Sequence, residues 1–156
     1  MRIIGIIIII FSATMIATSL NSKIDLSISS VSALRMLFEH TKNMIECYSL
    51  PAGEILRRFD ASCYLELGYS KKEMPRDFSE LLNSASIPDA EAYEIFFAFS
   101  RDFGRAYRED ELLRCSLYLE RMRAREQKLI KESAKRKKVI FTVALCSALA
   151  LIILII

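Results

Sequence analysis

Hydrophobic and charged positions divide this chain into distinct parts. Apolar and uncharged residues run from Ile3 to Leu20 and from Val139 to Ile156, whereas charged residues recur throughout the stretch between the two runs. A bilayer core is about 30 Å thick, so a helix rising about 1.5 Å per residue needs about 20 apolar residues to cross it. The pattern predicts a transmembrane helix at 1–22, a helical domain at 23–134, a basic collar at 135–138 and a second transmembrane helix at 139–156.

The interior shows the spacing of amphipathic helices, with apolar residues three and four positions apart. A first interior helix is predicted from about Ser27 to Tyr48, and its apolar stripe consists of Val31, Leu34, Phe38, Thr41, Ile45 and Tyr48. Further helices are predicted at about 51–67, 76–84 and 88–103. A last helix is predicted from Glu109 onward, unbroken because neither glycine nor proline occurs after Arg105.

Helix breakers punctuate the interior at Pro51, Gly53, Gly68, Pro88 and Gly104. Neither a hairpin dipeptide nor a sustained two-residue alternation occurs, so strands are not expected. The predicted fold class is all-α: an antiparallel bundle of about five to six helices, flanked by N-terminal and C-terminal transmembrane helices.

Charge is distributed unevenly along the interior. Residues 23–120 hold 12 Lys and Arg against 17 Asp and Glu, whereas residues 121–138 hold 9 basic residues against 2 acidic ones. Each basic residue near an anionic membrane contributes about 1 kcal/mol to binding, and basic flanks face the cytoplasm. We therefore predict membrane-surface contacts and a cytoplasmic central domain, with nucleic acid disfavoured as a partner. The predicted contact residues are Arg121, Arg125, Lys128, Lys131, Lys135, Arg136, Lys137 and Lys138.

Two alternatives remain open at this point. The first apolar run also fits a signal peptide, whose cleavage would leave an exported, tail-anchored helical domain. A small membrane-bound enzyme would need an acid–base pair, and His40 with Glu39 or Glu46 is the only candidate pair. A solvated His40 is the favoured interpretation, and Glu109-Asp110-Glu111 fit the first turn of the last helix.

Known catalytic or cofactor motifs are missing from the sequence. The phosphate-binding glycine loops, the zinc-protease signature and the calcium loop do not occur. The four cysteines, Cys47, Cys63, Cys115 and Cys146, lack metal-binding spacing. We expect neither a cofactor, a metal nor a small-molecule substrate, and we expect that the protein is not an enzyme.

Two segments and the long helix that follows carry a family resemblance. Residues 45–56 read IECYSLPAGEIL, residues 103–112 read FGRAYREDEL, and residues 113–129 read LRCSLYLERMRAREQKL. Together with the basic collar and the terminal apolar runs, these segments resemble the stage III sporulation protein AB family of spore-forming Firmicutes. Leu50-Pro51 stands where that family usually has threonine-proline.

The resemblance implies a function that the residues alone do not. That family is similar to the F-type platform proteins of type II secretion and belongs to the channel between mother cell and forespore. The expected role is a membrane scaffold on the mother-cell side of the engulfing membrane. The expected partners are the lipid bilayer and other stage III sporulation channel proteins, including the AA-type cytoplasmic ATPase.

Overall fold

The computed structural model describes residues 2–48 and 50–155, apart from the side chains of residues 2–10, 13, 148 and 151–155. The described residues form six helices and contain no strand, which confirms the all-α prediction. The helices are α1 (Arg2–Tyr48), α2 (Ala52–Arg57), α3 (Ala61–Glu66), α4 (Phe78–Ser84), α5 (Ala90–Asp102) and α6 (Arg108–Ile155). The chain divides into one unit at Leu26–Lys128 and another formed by Met1–Asp25 with Leu129–Ile156.

The Leu26–Lys128 unit has an aromatic core centred on Phe99. The Phe99 ring lies 4.4 Å from Phe38 of α1, 5.0 Å from Phe78 of α4 and 5.6 Å from Tyr118 of α6, measured between centroids. Phe38, Phe78 and Phe99 are almost completely buried. A single side chain of α5 therefore packs against three other helices, which makes this unit a helical bundle.

The stripe predicted for the first interior helix is correct except at its end. Val31, Leu34, Phe38 and Thr41 are fully buried and Ile45 is 5% exposed. Tyr48 is wrong as a core residue, because it is the last residue of α1 and 62% exposed. Its ring lies instead 5.8 Å from the guanidinium carbon of Arg58, which is a cation–π contact.

The helix predicted at about 51–67 is two helices, α2 and α3. Asp60 interrupts it, since its carboxylate accepts a hydrogen bond from the Ser62 amide at 2.9 Å and caps a new helix. Aspartate favours such caps over helix interiors because its short side chain bonds the nearby backbone. The predicted inward residues are nevertheless all buried: Ile55, Leu56, Phe59, Cys63 and Leu67.

The predicted breakers differ in what they do. Gly68 and Gly104 follow helix ends with φ of +66° and +77°, a region that glycine adopts without the penalty of a Cβ. Pro51 is the N-cap of α2 rather than a first-turn residue, and Pro88 precedes the α5 N-cap, Asp89. Gly53 lies inside α2, where a Cβ would come within 3.0 Å of a backbone carbonyl.

The second unit exposes large apolar side chains. Phe11, Ile16, Val139, Phe141 and Val143 are each at least 60% exposed. Among the described residues, no helix contains a stretch that is long and apolar enough to cross a membrane. Each of the two predicted transmembrane helices includes residues whose side chains lie outside the described set.

Candidate functional site

Within the part of the chain that the structure describes, His40 is hydrogen-bonded to neither Glu39 nor Glu46, the two acids considered for an enzyme. His40 is half-buried, its Nε2 lies 3.2 Å from the Ile55 carbonyl oxygen, and its ring contacts Phe59. Glu39 instead accepts hydrogen bonds from Arg35 at 3.1 Å and from Arg123 at 3.3 Å. The expectation of a solvated His40 is wrong, because the histidine bonds the backbone of α2.

The predicted membrane-surface residues have different environments in the two units. In the Leu26–Lys128 unit, Arg121 lies over the ring of Tyr118, and the Lys128 ammonium is 4.0 Å from a Glu91 oxygen. In the other unit, Lys137 donates to Asp25 at 2.5 Å, and Arg136 lies 3.6 Å from Glu132. The exposed members of the second group are Lys131, Lys135, Arg136 and Lys138. Membrane contact by these residues stays a prediction.

Arg125 is held inside the helical bundle. Its Nε and one terminal nitrogen donate to the two carboxylate oxygens of Asp89 at 2.9 and 2.6 Å, and it also lies 2.6 Å from Glu91. The same Asp89 carboxylate accepts from the Ala92 amide and thereby caps α5. Burial raises the pKa of Asp89, but these hydrogen bonds outweigh it and hold the pKa below its ordinary value.

A groove of about 430 Å³ lies at the C-terminal end of α1, beside the first turns of α4 and α6. Its apolar wall consists of Ile45, Leu50, Pro51, Phe78, Phe103 and Ala106, and its polar residues include Asp77, Arg108 and Glu111. Leu50 and Pro51 belong to the first segment with a family resemblance, while Phe103, Arg108 and Glu111 belong to the second. The fold therefore brings these two segments together on one surface.

Arg108 closes the C-terminal end of α1. The last carbonyls of a helix have no partner within it, and α1 has no basic residue in its last turn. Arg108 donates from Nε to the Ile45 carbonyl at 3.2 Å and from a terminal nitrogen to the Glu46 carbonyl. This guanidinium therefore supplies the positive charge that the end of the helix dipole favours.

Glu111 is the buried acid of the groove. The residue is 5% exposed, and its Oε1 accepts a hydrogen bond from the Gly104 amide at 3.2 Å. Its Oε2 is covered and accepts no hydrogen bond from any residue that the structure describes. A buried oxygen without a donor costs about 1–3 kcal/mol, so the groove contains a group that an incoming donor would stabilise.

The sequence prediction placed Glu109, Asp110 and Glu111 together in a first turn, which the structure confirms. It missed that Glu111 differs from its two neighbours, which are exposed. The signal was present in the helix period: Glu111 is four residues before Cys115 and eight before Leu119, on the stripe that faces the core.

All four cysteines are free thiols. Burial raises the pKa of Cys115 to about 12 and also raises that of Cys63, whereas Cys47 and Cys146 are exposed. Groups of acidic, histidine and cysteine side chains that could hold a metal do not occur among the described residues.

Part of the chain matches a known protein family. A family model described as stage III sporulation protein AB matches residues 76–156, which include α4, α5, α6 and the second resembling segment. The first resembling segment, 45–56, lies outside the matched residues. No curated protein and no solved structure matches the chain.

Proposed function

The chain belongs to the stage III sporulation protein AB family and so has a role in sporulation, and we propose that it is a non-enzymatic, membrane-anchored scaffold. In this proposal it forms part of the channel between mother cell and forespore in a spore-forming bacterium. Its helical unit lies on the cytoplasmic face of the mother-cell membrane, where it is a platform for the AA-type ATPase.

The groove beside Arg108 and Glu111 is the observation that carries the scaffold proposal. It is lined by both segments that resemble the family, and its wall is largely apolar. Apolar grooves with a few fixed polar groups are the usual sites at which a protein segment docks. Acidic residues also outnumber basic ones between residues 23 and 120, and this negative charge favours a partner with a basic surface.

Membrane anchoring is supported by the uncharged runs at 3–20 and 139–156 and by the exposed apolar side chains there. Phe11 is 66% exposed and Phe141 is 60% exposed, although large apolar side chains in water are unfavourable. The basic residues Lys135 to Lys138 precede the second run, as in cytoplasmic flanks of membrane helices.

Recruitment of the ATPase to membranes tests the platform. In a sporulating host that lacks its own family member, the AA-type ATPase should sediment with membranes only when this chain is expressed. An ATPase that stays soluble in the presence of the chain would contradict the proposal.

The enzyme alternative is tested at His40. Cells that carry His40→Gln or His40→Ala at a normal protein level should sporulate normally, whereas a sporulation defect would favour an enzyme.

Anchoring is tested by reversing the collar. Replacing Lys135, Arg136, Lys137 and Lys138 by glutamate should weaken insertion or invert the topology, detected by protease protection in intact cells. The charge-matched control replaces each of these four residues by the other basic residue, lysine by arginine and arginine by lysine. Release of the wild-type chain by alkaline carbonate, or loss of its first residues by cleavage with the body exported, would overturn the proposed anchoring.

A further inference from the structure

We propose that the groove beside Glu111 binds a partner-protein segment that presents an apolar side chain next to a lysine or arginine, whose nitrogen donates to Glu111 Oε2. This inference rests on the proposed platform function and assigns that function its docking site. The occupant is a basic peptide segment rather than lipid, because the buried group to be paired is an anion.

One carboxylate oxygen of this groove has no hydrogen-bond donor among the described residues. Glu111 is 5% exposed, and its Oε2 has no hydrogen-bond partner among the described residues, although Oε1 is bonded to the Gly104 amide. Native proteins pair nearly all buried polar atoms, and an unpaired carboxylate oxygen is especially unfavourable. A donor from outside the described residues is therefore the simplest completion of this site.

The arginine that lines the groove is already bonded elsewhere. Arg108 also lines the groove, but its guanidinium donates to the carbonyls of Ile45 and Glu46 at the end of α1. Turning Arg108 toward Glu111 would leave those carbonyls without that donor. The fold thus keeps a carboxylate and a guanidinium in the same groove without pairing them.

The surroundings specify the rest of the occupant. Phe78 and Phe103, whose rings lie 4.7 Å apart, form apolar wall beside the acid, and Asp77 adds an exposed carboxylate. An apolar side chain would cover the aromatic wall, and the adjacent basic side chain would pair with Glu111 once the Glu111 side chain turns its covered Oε2 toward the groove. Hydrogen bonds between charged groups are the stronger and more directional kind, so Glu111 would set the register of the segment.

Binding of the purified AA-type ATPase to the full chain in detergent micelles tests the groove. Glu111→Gln keeps the shape and the acceptor for Gly104 but removes the charge, so affinity should fall roughly tenfold or more. Ser79→Trp, at an exposed position on the groove wall, should also abolish binding by blocking it. Asp110→Asn and Ser70→Trp, both exposed and outside the groove, are the matched controls and should bind within about twofold.

The basic donor is identified with synthetic peptides tiled across the ATPase sequence. A peptide that binds should contain lysine or arginine beside an apolar residue, and replacing that basic residue by glutamine should lose as much affinity as Glu111→Gln. The two losses should not add, as expected when both changes remove one interaction. Additive losses, or bound peptides without a basic residue, would overturn the inference.

The outcomes separate this inference from the proposed function. If the ATPase does not bind the wild-type chain, the platform itself is wrong. If it binds wild type, Glu111→Gln and Ser79→Trp equally well, the platform holds and the groove assignment is wrong.

Discussion

Two buried carboxylates of the Leu26–Lys128 unit are treated differently by the fold. Asp89, at the start of α5, is 8% exposed, and both of its oxygens accept hydrogen bonds, from Arg125 and the Ala92 amide. Glu111, in the first turn of α6, is 5% exposed and has one oxygen without a donor among the described residues. The first carboxylate fastens two helices together, whereas the second is suited to binding.

Removing the Asp89 carboxylate should have the largest effect on stability. Asp89→Ala removes the bidentate partner of the mostly buried Arg125 guanidinium and the cap of α5, while Glu91 remains 2.6 Å from Arg125, so the free energy of unfolding should fall by about 2–4 kcal/mol. Chemical denaturation of the full chain in detergent measures this. Asp77→Ala, which removes an exposed helix cap that has no ion pair among the described residues, should cost only about 1 kcal/mol. Equal losses in the two variants would mean that Asp89 acts as a cap alone.

The ion pair between Asp89 and Arg125 should make the stability of the fold depend on pH. Because the pKa of Asp89 is lower in the folded protein than its ordinary value of 3.8, ionised Asp89 stabilises the fold above that value. This stabilisation is lost as pH falls through the folded pKa. The stability difference between wild type and Asp89→Asn should therefore be constant near neutral pH and shrink in strong acid. A difference that grows on acidification would contradict this.

Removing the Arg108 side chain should have an intermediate effect. Arg108→Ala leaves two carbonyls at the end of α1 without their donor, so we expect a loss of about 1–2 kcal/mol in unfolding free energy. Arg105→Ala, an exposed arginine of the preceding loop, is the control and should change stability by less than about 0.5 kcal/mol. Similar losses in both variants would refute the capping role.

Neutralising Glu111 should change stability least. Glu111→Gln keeps an oxygen for the Gly104 amide and removes a buried charge, so the free energy of unfolding should change by under about 1 kcal/mol. Thermal unfolding with and without the ATPase measures both stability and binding. A loss of more than about 2 kcal/mol in the chain alone would show that Oε2 has a structural partner.

Helix positions were predictable from the sequence because the buried residues of each helix recur every three or four positions along the chain. The stripe of Val31, Leu34 and Phe38 reports the buried face of α1 directly. The division of the second predicted helix at Asp60 was missed, although aspartate is a common cap, because the apolar period continues across it.

The groove could not be predicted, because its contacts join distant parts of the chain. Arg108 bonds the carbonyls of Ile45 and Glu46, more than 60 residues away. Arg125 was interpreted from composition as a membrane contact, whereas in the fold it pairs with Asp89 across helices. Charge counts describe a surface on average, but only tertiary packing decides which charged side chain turns inward.

The unequal environments of the cysteines have a practical consequence for spectroscopy. Cys63 and Cys115 are buried thiols that resist alkylation, whereas Cys47 is exposed in the last turn of α1. Replacing Cys146 alone would leave Cys47 as the one reactive thiol of the chain. A fluorophore attached there, two residues after Ile45, would report binding at the C-terminal end of α1 without any cysteine having to be introduced.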